Sequence, residues 1–488
     1  AQGRRPPLSS ALRDRTSHLD RHDIGRRQRQ PARDRRLARW LERGRPLQYI
    51  GRIGASDPFR PRARGVATAK DADITRHFAP APDSRSLRVL SVFGTRPEAV
   101  KLAPVIKALE AAPGVTSILC ATGQHRAMLD QATAIFALKP RHDLAVMRHD
   151  QSLADVTCAV LAGVSAVISA EQPDWVVVQG DTTTTLAAAL AAFQAGVPVA
   201  HVEAGLRTGD IAAPWPEEMN RRLVTRLATL HFPPTPRAAA NLRAEGVAAA
   251  AMLVTGNTGI DAVHALCARL DSEPALAPAL DARLPFLAGG RRLLVATLHR
   301  REALRGGLRR ICAALRLAAG RGDLEIAFPV HPNPAVAATV RALLAGVPHV
   351  HLLDPLDPLA FVQLLRRAHL VVTDSGGVVE EAAALGRPTL IARETTERIE
   401  AVEAGVARLV GTGTGAILAA IDQLVADEAA WAAMARAPNP FGDGCAAGRI
   451  VERLRTGPLH PLASATAPGP SARRTRPAPR VAIAAPRQ

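Results

Sequence analysis

The stretch LRVLSVFGTRPEAVKLAPVIK (residues 87–107) decides the fold, because a strand, a turn and a helix follow one another within it. It opens with an apolar run rich in β-branched and aromatic residues, which is typical of a buried strand. Gly94 and Thr95 break that run, and Pro97 follows at the first helical position, where a missing N–H costs nothing. Glu98 lies in the first turn, where a carboxylate suits the helix dipole. The segment predicts the first strand–turn–helix unit of an α/β domain.

Two cations, Arg96 and Lys101, accompany this turn. Turns of this kind lie at the carboxyl end of a strand and beside a helix N-terminus, where anions bind in open sheets. The cations could hold an anionic ligand there, or they could be solvated charges on an ordinary turn. The segment alone leaves both interpretations open.

Strands and helices alternate from residue 87 onward in two series of similar size. The first series is predicted to end in a strand at residues 252–255. Such alternation predicts two parallel, doubly wound sheets, so we expect Rossmann-like domains at residues 87–256 and 257–440. A helix within residues 441–462 is expected to pack back on the first domain. The natural active site is the cleft between the domains, at the carboxyl ends of the strands.

The formal net charge of +18 lies almost entirely at the two ends of the chain. Residues 1–86 hold 21 basic and 9 acidic side chains and residues 465–488 hold 5 and 0, which leaves 36 and 35 for the remainder. The expected fold is therefore nearly neutral. Together with the lack of interleaved basic and aromatic residues, this argues against a nucleic-acid-binding protein.

Residues 1–86 are basic and rich in Arg and Pro, and residues 463–488 share that character, so we expect both to be disordered. The longer segment could be a tail attracted to RNA or membranes, a targeting segment, or translated upstream DNA. The third interpretation is favoured, because the chain does not begin with Met and the fold begins abruptly at residue 87.

Cysteine spacing and hydropathy favour a cytoplasmic protein that neither binds structural zinc nor spans a membrane. The charge-free run at residues 182–202 is broken by Gly196 and Pro198, and residues 156–170 suit a helix packed in a core. The cysteines are scattered without a CxxC pair, which fits reduced thiols and no metal site. They are Cys120, Cys158, Cys267, Cys312 and Cys445.

Polar residues follow the predicted strands in both domains. Asp181 and Glu203 follow two strands of the first domain, with Glu217 nearby, and His299 follows the first strand of the second. One acid at such a place is most often a helix cap, and Asp181 before three Thr residues fits that interpretation. Their joint placement favours a shared site, because both domains direct such groups at one cleft.

The sequence Ser375–Gly376–Gly377 opens a predicted helix directly after a buried strand. Glycines let a diphosphate approach the backbone, and the helix N-terminus supplies unpaired N–H donors. The pattern is neither GxGxxG nor a Walker loop, which weakens dinucleotide and ATP interpretations. Glu381, about one turn further on, could accept hydrogen bonds from a ribose diol or could lie on a solvated helix face.

Eight motifs in a fixed order resemble the bacterial non-hydrolysing UDP-N-acetylglucosamine 2-epimerase family. The resemblance covers residues 87 to about 455 and none of the tails. It implies a GT-B architecture, no metal or nicotinamide cofactor, a UDP-sugar substrate and a homodimer that serves cell-surface polysaccharide synthesis. The motifs are GTRPE (94–98), GDTTTT (180–185), HVEAGLRTGD (201–210), PEEMNR (216–221), GNT (256–258), HRRE (299–302), DSGG (374–377) and TTER (395–398).

The resemblance also implies a reaction and its residues. Family members interconvert UDP-GlcNAc and UDP-ManNAc by eliminating UDP to give 2-acetamidoglucal and then adding it back. The matching catalytic residues are Asp181, Glu203, Glu217 and His299, with no assignment of the carboxylates to the two faces of C2. The matching substrate- and UDP-binding residues are Arg96, Lys101, Phe361, Ser375, Gly376, Gly377, Glu381 and Arg398.

This chain departs from the family pattern at several positions. Ala303 follows HRRE where relatives have Asn or Ser, Leu356 replaces a Gln that contacts the nucleotide, and Ile399 replaces a Pro after TTER. Val379 and Ala383 also differ from the usual residues of the UDP helix. These changes bear on uracil contacts and the Arg398 loop, and they remove none of the matched catalytic residues.

Two alternatives share part of this pattern. The same chemistry could act on a UDP-diacetamido uronic acid. A GT-B glycosyltransferase would share the UDP helix, but a transferase needs only one base in the first domain, so three carboxylates there favour epimerisation.

Overall fold

The computed structural model of the protein describes residues 86–123, 126–148, 150–299 and 306–456. The disorder predicted for residues 1–85 and 463–488 lies outside the described residues, and so do Arg300, Arg301 and Glu302 of the HRRE motif.

The first domain is built on a parallel six-stranded sheet in the order β3-β2-β1-β4-β5-β6. Its strands are β1 (Leu87–Phe93), β2 (Val115–Ala121), β3 (His142–Asp143), β4 (Trp175–Gln179), β5 (Val199–Val202) and β6 (Leu230–Phe232). Its helices are α1 (Arg96–Ala111), α2 (Arg126–Ile135), α3 (Leu153–Glu171), α4 (Thr183–Gln194), α5 (Glu217–Leu227) and α6 (Pro236–Ala244).

The second domain repeats this plan with a parallel sheet in the order β12-β11-β10-β7-β8-β9. Its strands are β7 (Arg292–Thr297), β8 (Leu324–Pro329), β9 (Val350–Leu353), β10 (Leu370–Thr373), β11 (Thr389–Ile391) and β12 (Ala407–Leu409). The helices that follow the first domain are α7 (Thr258–Ser272), α8 (Leu276–Asp281), α9 (Gly307–Ala319), α10 (Pro334–Leu344), α11 (Pro358–Arg367), α12 (Gly376–Ala384), α13 (Ile399–Glu403), α14 (Thr414–Ala426), α15 (Glu428–Ala435) and α16 (Ala446–Thr456). Two doubly wound, Rossmann-like sheets were predicted from the sequence, and this prediction is confirmed.

The packing of strand β1 explains why its sequence is mostly apolar. Val89 and Phe93 belong to an apolar cluster on one face of the sheet, whereas Leu90 and Val92 belong to the cluster on the opposite face. A parallel strand covered by helices on both faces has no solvent side, so polar residues do not alternate along it. The carboxyl end of β1, which carries the Gly94 turn, is fixed by both cores.

Helix α3 contains the charge-free run at residues 156–170, which was expected to form a core helix. Its length and apolar composition alone would suffice to cross a bilayer, and one such helix is weak evidence of a membrane span. Val156, Val160, Val164 and Ile168 instead lie in the apolar cluster between α3, α4 and the first sheet. This packing is that of a core helix.

Helix α16 returns from the end of the second series to the first domain. Ala447, Ile450, Val451 and Leu454 lie in the same apolar cluster as Phe93 of β1. A helix that belongs to the last residues of the fold therefore completes the core of its first domain.

The prediction of a strand at residues 252–255 is wrong. Met252 makes only an isolated parallel bridge with His231, and the segment then runs beside β6 through the bonds from Leu253 N–H to the His231 carbonyl and from Thr255 N–H to the Pro233 carbonyl. The segment is apolar because it covers the sheet edge, and the pairing does not extend to a ladder. The short strands β3 and β12 and the helices α7, α8, α10, α13 and α15 were not predicted from the sequence.

Candidate active site

Asp181 lies two residues after the end of β4 and is held by helix α5. The Arg221 guanidinium contacts the Asp181 carboxylate through Nε at 3.1 Å and also through Nη2, and Asn220 donates to the Asp181 carbonyl at 2.9 Å. Arg221 also contacts the fully buried Glu218 at 3.1 Å. The PEEMNR motif therefore fixes the position of Asp181 through Asn220 and Arg221.

Glu203 follows β5 and adopts a positive φ of 63°, a conformation that a non-glycine residue rarely takes. Its Oε2 atom accepts hydrogen bonds from Lys101 Nζ at 2.5 Å and from Gln179 Nε2 at 2.8 Å. Backbone strain of this kind persists where the surrounding structure fixes it, and it is frequent at functional sites. Here β6 fixes it, because Glu203 N–H donates to the Phe232 carbonyl at 3.1 Å.

Lys101 joins Glu203 to the second domain. Its Nζ atom lies 3.4 Å from Glu380 Oε2 on α12, and Glu380 Oε1 accepts from Arg398 Nε at 2.6 Å. Burial opposes the charge on Lys101, but the Glu203 and Glu380 carboxylates raise its pKa above the ordinary value. Burial likewise opposes ionisation of Glu380, and Arg398 and Lys101 overcome it, so the pKa of Glu380 is lowered. These four side chains, which we call the cleft network, form a chain of ion pairs between the domains.

Glu98 lies beneath the turns that carry Arg96 and Asp181. It is 1 % exposed, and its carboxylate accepts from Gly94 N–H at 3.0 Å, from Thr95 N–H at 2.7 Å and from Thr182 Oγ1 at 2.6 Å. Burial raises its pKa despite these hydrogen bonds. Glu98 therefore ties the turn after β1 to the turn after β4.

His299 follows β7 and is fixed by Asp374. Its backbone N–H donates to Asp374 Oδ1 at 3.0 Å, and its ring stacks on His331 with centroids 5.5 Å apart. Burial lowers the pKa of His331, and the charges of His299 and Arg96 lower it further. Arg96 also donates across the cleft to the Leu356 carbonyl at 3.3 Å, so this first-domain cation faces the second domain.

The sequence Ser375–Gly377 forms the start of α12 as predicted, with Ser375 at the N-cap. A Cβ on Gly376 would lie 3.3 Å from Arg398 Cζ, so the glycine lets the guanidinium lie close to the helix start. Among the residues that the structure describes, none forms a hydrogen bond with the buried Oε2 atom of Glu381. Burial, and then the charge of Glu380, raise the pKa of Glu381 to about 7.

Six of the twelve residues predicted from motifs are connected with one another in the cleft. Lys101, Glu203 and Arg398 share the cleft network, and Arg96, His299 and Glu381 are linked to it or to each other by hydrogen bonds, ring contacts or charge effects. Glu217 is the first residue of α5. Within the described ranges its buried Oε2 atom has no hydrogen-bond partner, and no contact joins it to the cleft network.

Phe361 lies on α11, apart from these ionic contacts. It is partly buried in the apolar cluster that also contains Leu356. A cavity of about 190 Å³ opens beside this cluster, lined by Arg283, Leu284, Leu353, Leu356, Ala360 and Gln363.

Several residues of the site were missed by sequence reasoning. Gln179, Arg221 and Glu380 contact predicted residues directly, and Glu98 was noted only as a partner for the helix dipole. Arg221 lies within the PEEMNR motif and Glu380 precedes Glu381, so their positions were a usable signal.

Among residues of the described ranges, no three His, Cys, Asp or Glu side chains are arranged to hold a metal ion.

Comparison with known proteins agrees with this architecture. The family model for UDP-N-acetylglucosamine 2-epimerase matches residues 107–455. The probable UDP-N-acetylglucosamine 2-epimerase of Ralstonia nicotianae is 49% identical over 369 residues, which cover 75% of this chain and 98% of the relative. The UDP-N-acetylglucosamine 2-epimerase of Escherichia coli is 47% identical over 370 residues, which cover 76% and 98% of the two chains.

A solved structure is also similar. The crystal structure of UDP-GlcNAc 2-epimerase from Neisseria meningitidis bound to UDP-GlcNAc superposes with a TM-score of 0.73 at 42% identity, covering 76% of this chain and all 100% of the other. The paired Rossmann-like sheets define an enzyme of the GT-B type. The chain belongs to the UDP-N-acetylglucosamine 2-epimerase family of isomerases, as its motifs predicted.

Proposed function

We propose that this protein interconverts UDP-GlcNAc and UDP-ManNAc by elimination and re-addition of UDP. A carboxylate removes the C2 proton, a C1–C2 double bond forms, and the C1–O bond breaks with its electron pair leaving on the diphosphate. The enzyme-bound 2-acetamidoglucal then receives a proton at C2 on the opposite face. A diphosphate oxygen adds back to C1, so no atoms are lost overall.

One observation carries this proposal. Glu203, a candidate base, is joined through Lys101 to Glu380 and Arg398 at the start of α12, where the diphosphate would bind. Elimination needs a base beside C2 and positive charge beside the leaving group at one site. A continuous network between these two places supports a reaction in which both events are coupled.

The remaining roles follow from position and charge. Asp181 and Glu217 supply the other first-domain carboxylates, and a group of acids can serve as acid and base in turn. His299 and Arg96 lie where they would contact the sugar or the diphosphate. The N–H groups of Ser375, Gly376 and Gly377 would bind phosphate oxygens. Phe361 and the neighbouring cavity would receive the uracil, and Glu381 the ribose.

The test is an incubation of the protein with UDP-GlcNAc in deuterium oxide. We expect UDP-ManNAc to form with deuterium at C2, because the transferred proton comes from solvent. In the same assay, Lys101→Ala is expected to slow the reaction more than it weakens UDP binding. The proposal fails if neither product nor exchange is seen.

A parallel assay separates the alternatives. A UDP-diacetamido uronic acid offered in competition is expected to react more slowly than UDP-GlcNAc. Preference for the uronic acid would reassign the substrate, and sugar transfer to an acceptor without C2 exchange would identify a glycosyltransferase.

A further inference from the structure

Glu380 is a buried carboxylate for which the reaction above provides no role. It lies on α12 between Val379 and Glu381, and it is 3% exposed. Placing an ionised carboxylate at such a depth is unfavourable unless charged partners compensate it. Its partners therefore indicate why it is there.

These partners come from both domains. Glu380 Oε1 accepts from Arg398 Nε at 2.6 Å, and Glu380 Oε2 lies 3.4 Å from Lys101 Nζ. Arg398 precedes α13 in the second domain, whereas Lys101 projects from α1 in the first. One carboxylate thus contacts two cations that the proposed reaction uses for the diphosphate.

The two cations would repel each other without it. Arg398 opposes the charge on Lys101, and both side chains are largely buried, with exposed fractions of 10% and 16%. Glu203 contacts Lys101 on its other side at 2.5 Å. The cleft network therefore holds two positive and two negative charges, and it is neutral before an anionic ligand arrives.

We propose that Glu380 is a positioning residue that holds Lys101 and Arg398 together at the leaving-group site and neutralises part of their charge until the diphosphate binds. The inference rests on the proposed function, since it assumes that these cations receive the diphosphate. Glu380 itself touches no reacting atom. It acts through the placement and charge of its two partners.

The variant Glu380→Gln removes the negative charge of residue 380 and keeps a hydrogen-bond acceptor for Arg398, so it tests the two effects of Glu380 separately. The amide oxygen of Gln still accepts from Arg398, but the negative charge that offsets Lys101 is gone. The network then carries one net positive charge, so UDP is expected to bind about tenfold more tightly. Added affinity for the diphosphate acts on substrate and transition state alike, so it does not raise the rate.

Turnover is expected to fall in the same variant. Lys101 then has Glu203 as its remaining carboxylate partner in the cleft network, and it is drawn away from the leaving-group position. Misplacing a catalytic group by about 1 Å can cost on the order of a hundredfold in rate, so we expect kcat to fall at least about tenfold. Compared with the unmodified protein, Glu380→Gln is therefore expected to have both a lower kcat and a lower Kd for UDP.

The experiment measures kcat, KM and the Kd of UDP by calorimetry for the full chain, for Glu380→Gln and for Glu325→Gln. Glu325 is the matched control, because it is 5% exposed and paired with Arg291, His349 and His351 in the same domain but outside the cleft. Glu325→Gln is expected to leave kcat and UDP affinity unchanged. Glu380→Ala, which removes the acceptor for Arg398 as well, is expected to weaken UDP binding.

The outcomes distinguish the two proposals. If the unmodified protein shows no C2 exchange, the proposed function fails. If it is active and Glu380→Gln keeps its kcat and UDP affinity, the positioning role is overturned. If Glu380→Gln loses UDP affinity and kcat together, Glu380 supports the fold alone, and the role is also overturned.

Discussion

The protonation state of the partly buried Glu381 side chain is set by its surroundings. Burial and the charge of Glu380 raise its pKa from the ordinary 4.5 to about 7. Its buried Oε2 atom has no hydrogen-bond partner in the part of the chain that the structure describes, which fits a group that would accept a ligand hydroxyl when ionised. Proton uptake by this residue is therefore coupled to folding and, under the proposed function, to ribose binding.

We predict that Glu381 makes the protein less stable as the pH rises from 5 to 7.5. The native protein holds a proton that the unfolded chain releases between pH 4.5 and about 7, so the contribution is largest below pH 4.5 and is lost as the pH rises through about 7. The effect is at most about 3 kcal/mol. Urea unfolding across this range should give a flatter pH dependence for Glu381→Gln than for the unmodified protein, and identical slopes would contradict the prediction.

The turn between β1 and α1 shows how an element boundary is set by packing. A Cβ on Gly94 would lie 2.3 Å from the hydroxyl oxygens of Thr122 and Thr184, which hydrogen-bond to each other at 3.0 Å. Gly94 N–H also donates to Glu98 at 3.0 Å. The turn is therefore pressed onto α4, and no larger residue fits without moving it.

Gly94→Ala is predicted to destabilise the protein by about 1–3 kcal/mol and to lower activity, because overpacking displaces the turn that carries Arg96. The matched control is Gly448→Ala on α16, where a Cβ meets nothing within 4 Å. That control should be neutral or stabilising by up to about 1 kcal/mol, since Ala favours a helix over Gly. Thermal unfolding and the epimerisation assay measure both effects. Equal behaviour of the two variants would show that the turn tolerates the added atom.

At the scale of the whole molecule, the last helix completes the first domain. Ile450 and Leu454 of α16 are fully or almost fully buried beside Phe93 and Leu102, which precede them by more than three hundred residues. The first domain therefore depends on a segment that follows the entire second domain. Long-range closure of this kind couples the stability of the two domains.

Ile450→Ala is predicted to cost about 2–5 kcal/mol and to increase hydrogen exchange in β1 and β2. Leu317→Ala is the control, because Leu317 is 55% exposed on α9, and it should change stability by less than about 0.5 kcal/mol. Thermal unfolding and hydrogen-exchange mass spectrometry would measure both. Extra exchange confined to α16 itself would show that the helix is not part of the first core.

Particular residues show where sequence reasoning succeeded and where it stopped. The buried strand at β1, the helix that opens at Ser375–Gly377 and the alternation of elements were evident, because periodicity and turn chemistry are local properties. The strand at residues 252–255 was predicted wrongly, because an apolar segment at a sheet edge looks like a strand. Strand β3 was missed, because two residues are too few to show a period.

The sequence alone therefore determined the two-domain α/β class, the family and the identity of the candidate carboxylates and cations. The tertiary structure decided which side chains meet: Lys101 lies between Glu203 and Glu380, and Arg221 holds Asp181. The physical reason is distance along the chain. The segment 94–101 predicted the fold by itself. The ion-pair partners of its Lys101 are Glu203 and Glu380, which are 102 and 279 positions further along the chain and meet Lys101 only in the folded protein.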